Sequence, residues 1–182
     1  LRWAEDRLLH AAFHDELTGL PNRALFLDRL RQALLRVDRR PKDSFALLFL
    51  DIDRFKVVND SLSHTIGDEL LVAIARRIQD CLRPGDTVAR LGGDEFTVLV
   101  QDVEGTAGAV TVAERIQASL ALPFDLGHHV VYSSASIGIV LRGPHYRAPE
   151  ELLRDADLAM YRAKQRGRAR HELFTPQMHQ KA

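Results

Sequence analysis

The amino-acid sequence predicts an α+β fold in which an antiparallel sheet is packed against helices. Residues 44–52 (SFALLFLDI) form a nearly continuous apolar run, which is typical of a central strand covered on both faces. Residues 86–91 and 95–101 have the pattern of two hairpin strands, with Gly92 and Gly93 supplying a turn that requires positive φ. Segments with the apolar spacing of helices separate the strands. The resulting order, β-α-β-β-α-β, predicts a ferredoxin-like split sheet with its helices on one face.

The remaining elements follow from the same criteria along the chain. Helices are predicted at 1–13, 23–38, 66–82, 106–120 and 149–166. Asn22 is a candidate N-cap for the second helix and Pro41 a candidate stop. A loop is expected after the first strand, with backbone N–H groups at 53–58 (DRFKVV) able to cradle phosphate. A single strand is expected at 129–140 and a short edge strand at 171–174.

The composition narrows the classes of function. Hydrophobic residues make up 46% and charged residues 27% of the 182 residues, as in an ordinary globular domain. The 25 basic and 25 acidic residues cancel, so no net field attracts a nucleic-acid polymer or a membrane surface. Cys81 is the only cysteine, which excludes an internal disulfide framework and indicates a reducing, cytoplasmic compartment. The chain begins within a helical pattern and without Met, so we expect it to be part of a longer protein.

Acidic residues occur at two predicted strand tips. Asp51-Ile52-Asp53 ends the first strand, and Asp94-Glu95 lies in the hairpin turn. In a split sheet the first strand lies beside the hairpin, so these carboxylates are expected to converge. Converging carboxylates repel one another and are most easily stabilised by a hard divalent cation such as Mg²⁺ or Mn²⁺. The alternative for any one of them alone is an acidic residue at a strand end that merely faces solvent.

Basic residues in other segments of the chain strengthen the prediction that these acidic residues together form a metal site. Lys56 follows the first strand, and Lys164, Arg166 and Arg168 lie at the end of the last helix. Such cations could hold phosphate groups of a substrate. The alternative for the second set is a helix cap, because Lys and Arg complement the helix dipole in a last turn.

The motif at 90–96, RLGGDEF, resembles the signature of the GGDEF family of diguanylate cyclases. Five further segments match that family in order: DELTGLPNR at 15–23, FLDIDRFKVVND at 49–60, HTIGDELL at 64–71, SIGI at 136–139 and DADLAMYRAKQRGR at 155–168. The resemblance implies a palm-type fold, similar to nucleotide cyclase and polymerase palm domains. It divides the chain into a connecting helix at 1–13, the cyclase domain at 14–175 and a linker at 176–182.

The resemblance also implies roles for individual residues. The metal-binding positions match Asp51, the backbone carbonyl of Ile52, Asp94 and Glu95, and the last two are also the catalytic acidic pair. The substrate-binding positions match Phe55, Lys56, Asn59, His64, Asp68, Lys164 and Arg168. Among these, Asn59 and Asp68 would read guanine, since a carboxylate accepts from guanine N1–H and N2–H₂ while an amide serves its acceptor edge. Ser63 departs from the family, which usually has Gly before this histidine.

Arg83 and Asp86 (RPGD) resemble the RxxD site at which cyclic di-GMP inhibits members of the family. Arg can form a forked contact with phosphate, and Asp can accept hydrogen bonds from guanine. The alternative is an ordinary loop, because Pro-Gly is itself a turn signal.

The resemblance implies that two GTP molecules are condensed to cyclic di-GMP across a homodimer, under the control of an upstream sensor domain. The tail ELFTPQMHQ at 172–180 is similar to the join that precedes an EAL phosphodiesterase domain. Three alternatives remain open: a GTP-binding regulatory module without catalysis, a product-binding effector using Arg83 and Asp86, and a cyclase acting within one triphosphate.

Overall fold

The structure, a computed structural model, describes residues 2–40 and 42–180, and it contains most of the predicted elements. The helices are α1 (Arg2–Phe13), α2 (Arg23–Arg39), α3 (Phe55–Ser61), α4 (His64–Asp80), α5 (Gly105–Leu120) and α6 (Pro149–Gln165). The strands are β1 (Phe45–Ile52), β2 (Thr87–Gly92), β3 (Glu95–Gln101), β4 (Phe124–Leu126), β5 (His129–Val131), β6 (Ala135–Leu141) and β7 (His171–Leu173). The predicted stop at Pro41 lies outside the described residues.

A five-stranded sheet in the order β2-β3-β1-β6-β7 forms the centre of the molecule. Strand β1 is antiparallel to both of its neighbours, β3 and β6, as a split sheet requires. The short edge strand β7 was predicted, and it runs parallel to β6. The α+β fold with a split sheet is therefore confirmed, with one parallel pair added at the edge.

Helices cover both faces of the sheet, which corrects the prediction that they lie on one face. All eight residues of β1 are buried. Its even-numbered residues, such as Leu48, pack in a core with residues of α4 and α5. Its odd-numbered residues, such as Leu47, pack in a second core with residues of α2 and α6. An apolar side chain at every position of a strand requires cover on both sides, because successive side chains point to opposite faces.

Two segments differ from their predicted secondary structure. The loop expected after β1 contains helix α3, and α4 begins two residues earlier than predicted. The single strand expected at 129–140 is split into β5 and β6, and β5 instead pairs with β4 around Gly127. Apolar residues lie on both sides of the break, and the two serines between them are compatible with a strand, so the pattern alone could not show that Ser134 bonds to Asp53 instead.

Local signals account for the start of two helices. The Asn22 side chain caps α2 by accepting a hydrogen bond from the Leu25 N–H at 3.1 Å, as predicted. Ser63 caps α4 in the same way, accepting from the Ile66 N–H at 3.1 Å. Ser63 has φ of 178°, an extended conformation that any residue adopts, so the change from the family's glycine introduces no backbone strain there.

Helix α6 packs unusually close to the sheet at Gly138. A Cβ atom built on Gly138 would lie 2.1 Å from the backbone oxygen of Ala156 and 2.2 Å from the backbone nitrogen of Met160. Only glycine therefore allows α6 its observed position, and α6 carries Lys164 at its C-terminal end.

Among the described residues, none of the helices is both long and apolar enough to cross a membrane. Helix α1 contains no buried residue and exposes Trp3 and Leu8 by 70% and 72%. Where part of the C-terminal linker was predicted, Pro176–His179 form a short 3-10 helix.

Candidate functional site

The tip of β1 and the β2–β3 turn meet at one edge of the sheet. Asp51 pairs with Glu95 in the β1–β3 register, and the Ile52 N–H donates to the Asp94 carbonyl oxygen at 3.0 Å. Gly92 and Gly93 take φ values of +144° and +49°, which let the turn close tightly enough to bring Asp94 to this edge. The predicted convergence of the two acidic strand tips is therefore present in the structure.

Asp51 lies in a setting that disfavours its charged form. Its Oδ2 atom is 2.8 Å from the Lys164 ammonium, whereas Oδ1 is buried and has no hydrogen-bond partner. Burial raises the pKa of Asp51 to about 6; the Lys164 charge opposes this shift and the nearby Asp94 carboxylate adds to it. An orphaned carboxylate oxygen is costly, so the site is suited to a cation.

Lys164 faces two further carboxylates, and one of them was not foreseen. Burial raises the pKa of Glu95, and the charges of Asp157 and Asp94 raise it further, while Arg23 and Lys164 lower it. Asp157 has a raised pKa as well because part of its side chain is buried, an effect that Lys164 opposes. Asp157 precedes Lys164 by seven residues, or two helical turns, and this spacing on one helix face was the available signal.

The donor set fits a hard divalent cation that completes its coordination with substrate. Asp51 and Asp94 supply two neighbouring carboxylates, and Oδ1 of Asp51 is without a protein partner. Within residues 2–40 and 42–180, no group of three or more His, Cys, Asp or Glu side chains is arranged to hold a metal by itself. Mg²⁺ commonly binds through one or two carboxylates plus water and phosphate oxygens, so these residues suit it.

Arg168 lies near this edge in a separate cavity of about 420 Å³, which Asp53, Arg54 and Ser134 also line. Arg166, considered beside it as a phosphate ligand, is instead paired with Glu172 at 3.2 Å. Lys56 is exposed on α3. The Phe55 side chain is only 9% exposed and packs in the core beneath α4, which leaves its backbone rather than its ring for contact with a ligand.

The predicted guanine readers are placed by the α3–α4 pair. The Asn59 Oδ1 atom is buried without a partner, and a Cβ atom built on Gly67 would lie 1.7 Å from it. Asp68 is exposed and lines a groove of about 830 Å³ between α4 and the β4–β5 hairpin. His64, the first residue of α4, is exposed. Asn59 does not line the Asp68 groove, so the two readers are on adjoining helices without a shared cavity.

The sequence profile described as "Diguanylate cyclase, GGDEF domain" matches residues 12–170. This chain belongs to the GGDEF domain family. It is 45% identical over 182 residues to the bifunctional diguanylate cyclase/cyclic di-GMP phosphodiesterase MucR of Pseudomonas aeruginosa, covering 98% of the chain and 26% of MucR. It is 40% identical over 180 residues to the cyclic di-GMP phosphodiesterase PdeR of Escherichia coli, covering 99% of the chain and 27% of PdeR.

A solved structure gives the same fold for a related GGDEF domain. The GGDEF domain of TpbB from Pseudomonas aeruginosa superposes with a TM-score of 0.88 at 45% identity, covering 92% of this chain and 97% of that one. The chain spans about a quarter of the length of MucR and PdeR, since it covers 26% and 27% of them. MucR is named for both synthesis and hydrolysis of cyclic di-GMP, whereas PdeR is named for hydrolysis alone. Membership of the GGDEF family therefore does not by itself assign an activity to this domain.

The RxxD segment of this GGDEF domain lies at the opposite end of β2 from the acidic turn. Strand β2 has six residues, which at about 3.3 Å per residue separates the two by roughly 17–20 Å. Asp86 accepts hydrogen bonds from the N–H groups of Arg83 and Gln101, at 3.1 and 2.9 Å. Its side chain is 3% exposed, whereas that of Arg83 is 60% exposed. Asp86 thus shapes the loop, and the Arg83 guanidinium donates to the Gln101 carbonyl oxygen at 2.7 Å while the rest of its side chain is exposed to a ligand.

Proposed function

We propose that this GGDEF domain is a diguanylate cyclase that condenses two GTP molecules into cyclic di-GMP with release of two pyrophosphates. The observation that supports the proposal most directly is the meeting of Asp51, Asp94 and Glu95 at one sheet edge, with Asp51 Oδ1 unpartnered. Such a cluster holds a cation poorly without phosphate oxygens and well with them.

The acidic residues would divide two tasks. Mg²⁺ or Mn²⁺ would be held by Asp51, the carbonyl of Ile52, Asp94 and Glu95. A bound ion at this position would neutralise the charge of the triphosphate and acidify the attacking hydroxyl. One member of the catalytic pair, Asp94 or Glu95, would accept the proton of the attacking hydroxyl.

The remaining predicted residues would bind the rest of GTP. Lys164 and Arg168 would contact phosphates, with Lys56 and the Phe55 backbone at the start of α3 as further contacts. Asn59 and Asp68 would read the guanine ring, and His64 would contact substrate at the start of α4. Asn59 would donate from its amide nitrogen to the acceptor edge of guanine, and its Oδ1 atom lies against Gly67, where a Cβ atom would come within 1.7 Å of it.

The product requires two domains. Cyclic di-GMP has two identical phosphodiester bonds, and two GTP-loaded domains facing each other about a two-fold axis would form both. Helix α1 supports this assembly, since its exposed Trp3 and Leu8 are available to pair with a second copy. An upstream sensor would set that pairing, and an EAL phosphodiesterase domain following this one would give the parent protein the two activities named for MucR. GTP supply places the reaction in the cytoplasm.

Product inhibition would act through the RxxD loop. The exposed Arg83 guanidinium would contact cyclic di-GMP, and Asp86 would hold the loop in shape through its two backbone N–H bonds. The two sites are at opposite ends of β2, so inhibition would work by restraining domain pairing rather than by filling the active site.

The test is turnover of GTP with Mg²⁺ by a protein that retains α1, with the product identified by mass spectrometry. We expect cyclic di-GMP and pyrophosphate in a ratio of one to two. The double variant Asp94→Ala/Glu95→Ala should form no product, and Glu104→Gln, an exposed carboxylate at the start of α5, is the matched control that should retain activity. Product synthesis by the double variant would refute the site.

A catalytically silent GTP-binding module that controls an adjacent EAL phosphodiesterase domain is the second candidate. The 40% identity to PdeR, which is named as a phosphodiesterase, favours it. Calorimetric titration combined with product analysis distinguishes the two functions: a silent module binds GTP with Mg²⁺ but yields neither cyclic di-GMP nor pyrophosphate, even at high domain concentration.

A further inference from the structure

Asp53, two residues after Asp51, connects three separate segments of the chain. Its Oδ1 atom accepts from the Ser136 hydroxyl at 2.7 Å, and its Oδ2 atom accepts from the Ser134 hydroxyl at 2.6 Å and from the Ala169 N–H at 3.0 Å. Its own N–H donates to the Ser134 carbonyl oxygen at 2.9 Å. The end of β1, the start of β6 and the loop after α6 are therefore joined at one carboxylate, which is 9% exposed.

The loop after α6 has an unusual backbone. Gly167, Arg168 and Ala169 all have positive φ, at +121°, +65° and +49°. Two successive non-glycine residues in the left-handed region are rarely adopted and persist only when surrounding contacts hold them. The Ala169 N–H bond to Asp53 is such a contact, and it is charge-assisted, which makes it stronger than a neutral one.

The geometry also separates Asp53 from the metal-binding carboxylates. Three donors already occupy its two oxygens, in contrast to Asp51, whose Oδ1 atom has none. Asp53 lies instead in the cavity of about 420 Å³ that Arg54 and Arg168 line. A carboxylate that lines this cavity and accepts all of its hydrogen bonds from the protein acts by fixing the shape of an anion-binding cavity.

We propose that Asp53 is a positioning residue for the triphosphate of the nucleotide and that it acts through Arg168. Its bond to the Ala169 N–H holds the loop in the left-handed conformation that directs Arg168 into this cavity. The inference rests on the proposed binding of GTP, though not on completion of the cyclisation. Asn in place of Asp53 would keep the size of the side chain but lose its charge and one acceptor, so the loop would be released.

The test is a double-mutant cycle between Asp53→Asn and Arg168→Ala, with KM for GTP, kcat and the Kd of GTP measured in the presence of Mg²⁺. We expect Asp53→Asn to raise KM about tenfold, equivalent to about 1.4 kcal/mol, and to change kcat less than threefold. In the Arg168→Ala background, Asp53→Asn should raise KM for GTP by less than twofold more. Arg168, the residue through which Asp53 acts, is already removed there.

Asp155→Asn is the matched control, since Asp155 is another buried carboxylate, held by Tyr146, Arg154 and His179 far along α6 from the loop. It should lower stability without changing KM. If Asp53→Asn fails to fold by circular dichroism, Ser134→Ala replaces it in the cycle and should show the same dependence on Arg168 with a smaller effect on KM.

The outcomes separate this inference from the proposed function. If Asp53→Asn raises KM for GTP by the same factor with and without Arg168, the positioning role is wrong. The cyclase function would be unaffected by that result. A protein that binds GTP without forming cyclic di-GMP would overturn the cyclase function, and the cycle would then be read on the Kd of GTP. A protein that neither binds nor converts GTP would overturn both.

Discussion

Arg90 and Asp15, 75 residues apart in the chain, form a two-pronged ion pair in which Nη1 of Arg90 lies 2.9 and 3.2 Å from the two Asp15 oxygens. Nε of Arg90 also donates to the Gly93 carbonyl oxygen at 3.0 Å. The pair therefore joins the turn after α1 to the hairpin turn that carries Asp94.

Arg90→Ala should lower both stability and activity. The side chains of the pair are only 13% and 16% exposed, so the Asp15 carboxylate would keep its two bonds from Thr18 but be left largely buried without an opposite charge. We expect the free energy of unfolding to fall by about 1–3 kcal/mol in urea titrations, with loss of most product formation. Arg31→Ala, an exposed arginine on α2, is the control and should change neither. Unchanged stability in Arg90→Ala would exclude a structural role for the pair.

The same pair predicts a pH dependence. Burial raises the pKa of Asp15, but the bonds from Thr18 and the Arg90 charge outweigh it and hold the pKa below its ordinary value. A lowered folded-state pKa contributes stability above the unfolded value near 3.8, and this contribution is lost as the pH falls through the folded value. The stability difference between wild type and Asp15→Asn should therefore be constant at neutral pH and shrink below about pH 4.

Asp51→Asn should stabilise the metal-free protein while abolishing turnover. The folded-state pKa of about 6 lies above the ordinary 3.8, so wild-type stability decreases as the pH rises from about 4 to about 6. Asparagine carries no charge to desolvate. At pH 7 we expect a Tm higher by about 2–4 °C, the shift that about 1 kcal/mol produces in a domain of this size. A lower Tm would show that the Lys164 contact outweighs the burial of Asp51.

Gly138→Ala should displace α6. The added methyl group would meet backbone atoms of Ala156 and Met160 at 2.1 and 2.2 Å, and backbone atoms cannot rotate away. We expect a loss of about 1–3 kcal/mol or more in the free energy of unfolding, together with reduced activity because Lys164 moves with the helix. The control is Gly108→Ala in α5, which meets only a Val103 methyl group at 3.0 Å and should be neutral or slightly stabilising.

Gly67→Ala should act through Asn59. The new methyl group would overlap Asn59 Oδ1, the end of a side chain that can rotate, so the fold should survive with Asn59 turned away. KM for GTP should rise about tenfold, as expected for loss of one ligand hydrogen bond of about 1.4 kcal/mol. In an Asn59→Ala background the same change should have little effect, and an equal effect there would contradict this explanation.

The variants Arg83→Ala and Asp86→Ala should both relieve product inhibition but differ in their effect on stability. Arg83→Ala should relieve inhibition by added cyclic di-GMP and lower the Tm less than Asp86→Ala does, because it removes one bond from a largely exposed side chain, that to the Gln101 carbonyl oxygen. Asp86→Ala should relieve inhibition and also lower the free energy of unfolding by about 1–3 kcal/mol, since it orphans the N–H groups of Arg83 and Gln101. Product titrations of initial rate, together with urea unfolding, measure both. Persistent inhibition in Arg83→Ala would show that the loop is purely structural.

Much of the site could be predicted because its signals are local. The apolar run of β1 and the glycines at 92 and 93 place Asp51 and Asp94 at neighbouring strand tips in any split sheet. Asp157 was missed because its seven-residue spacing from Lys164 has meaning only when that face of α6 is known to meet the acidic turn. Asp53 was missed because its partners, Ser134 and Ala169, are more than 80 residues away.

The sequence by itself determined most of the order of helices and strands, the family, and the identity of the acidic and basic groups at the sheet edge. These depend on periodicity, turn chemistry and motif spacing, which act over a few residues. Only the tertiary structure decided that helices cover both faces, that 129–140 breaks at Ser134, and that Lys164 contacts Asp51 at 2.8 Å. Those features depend on contacts between distant segments, whose energies no local pattern contains.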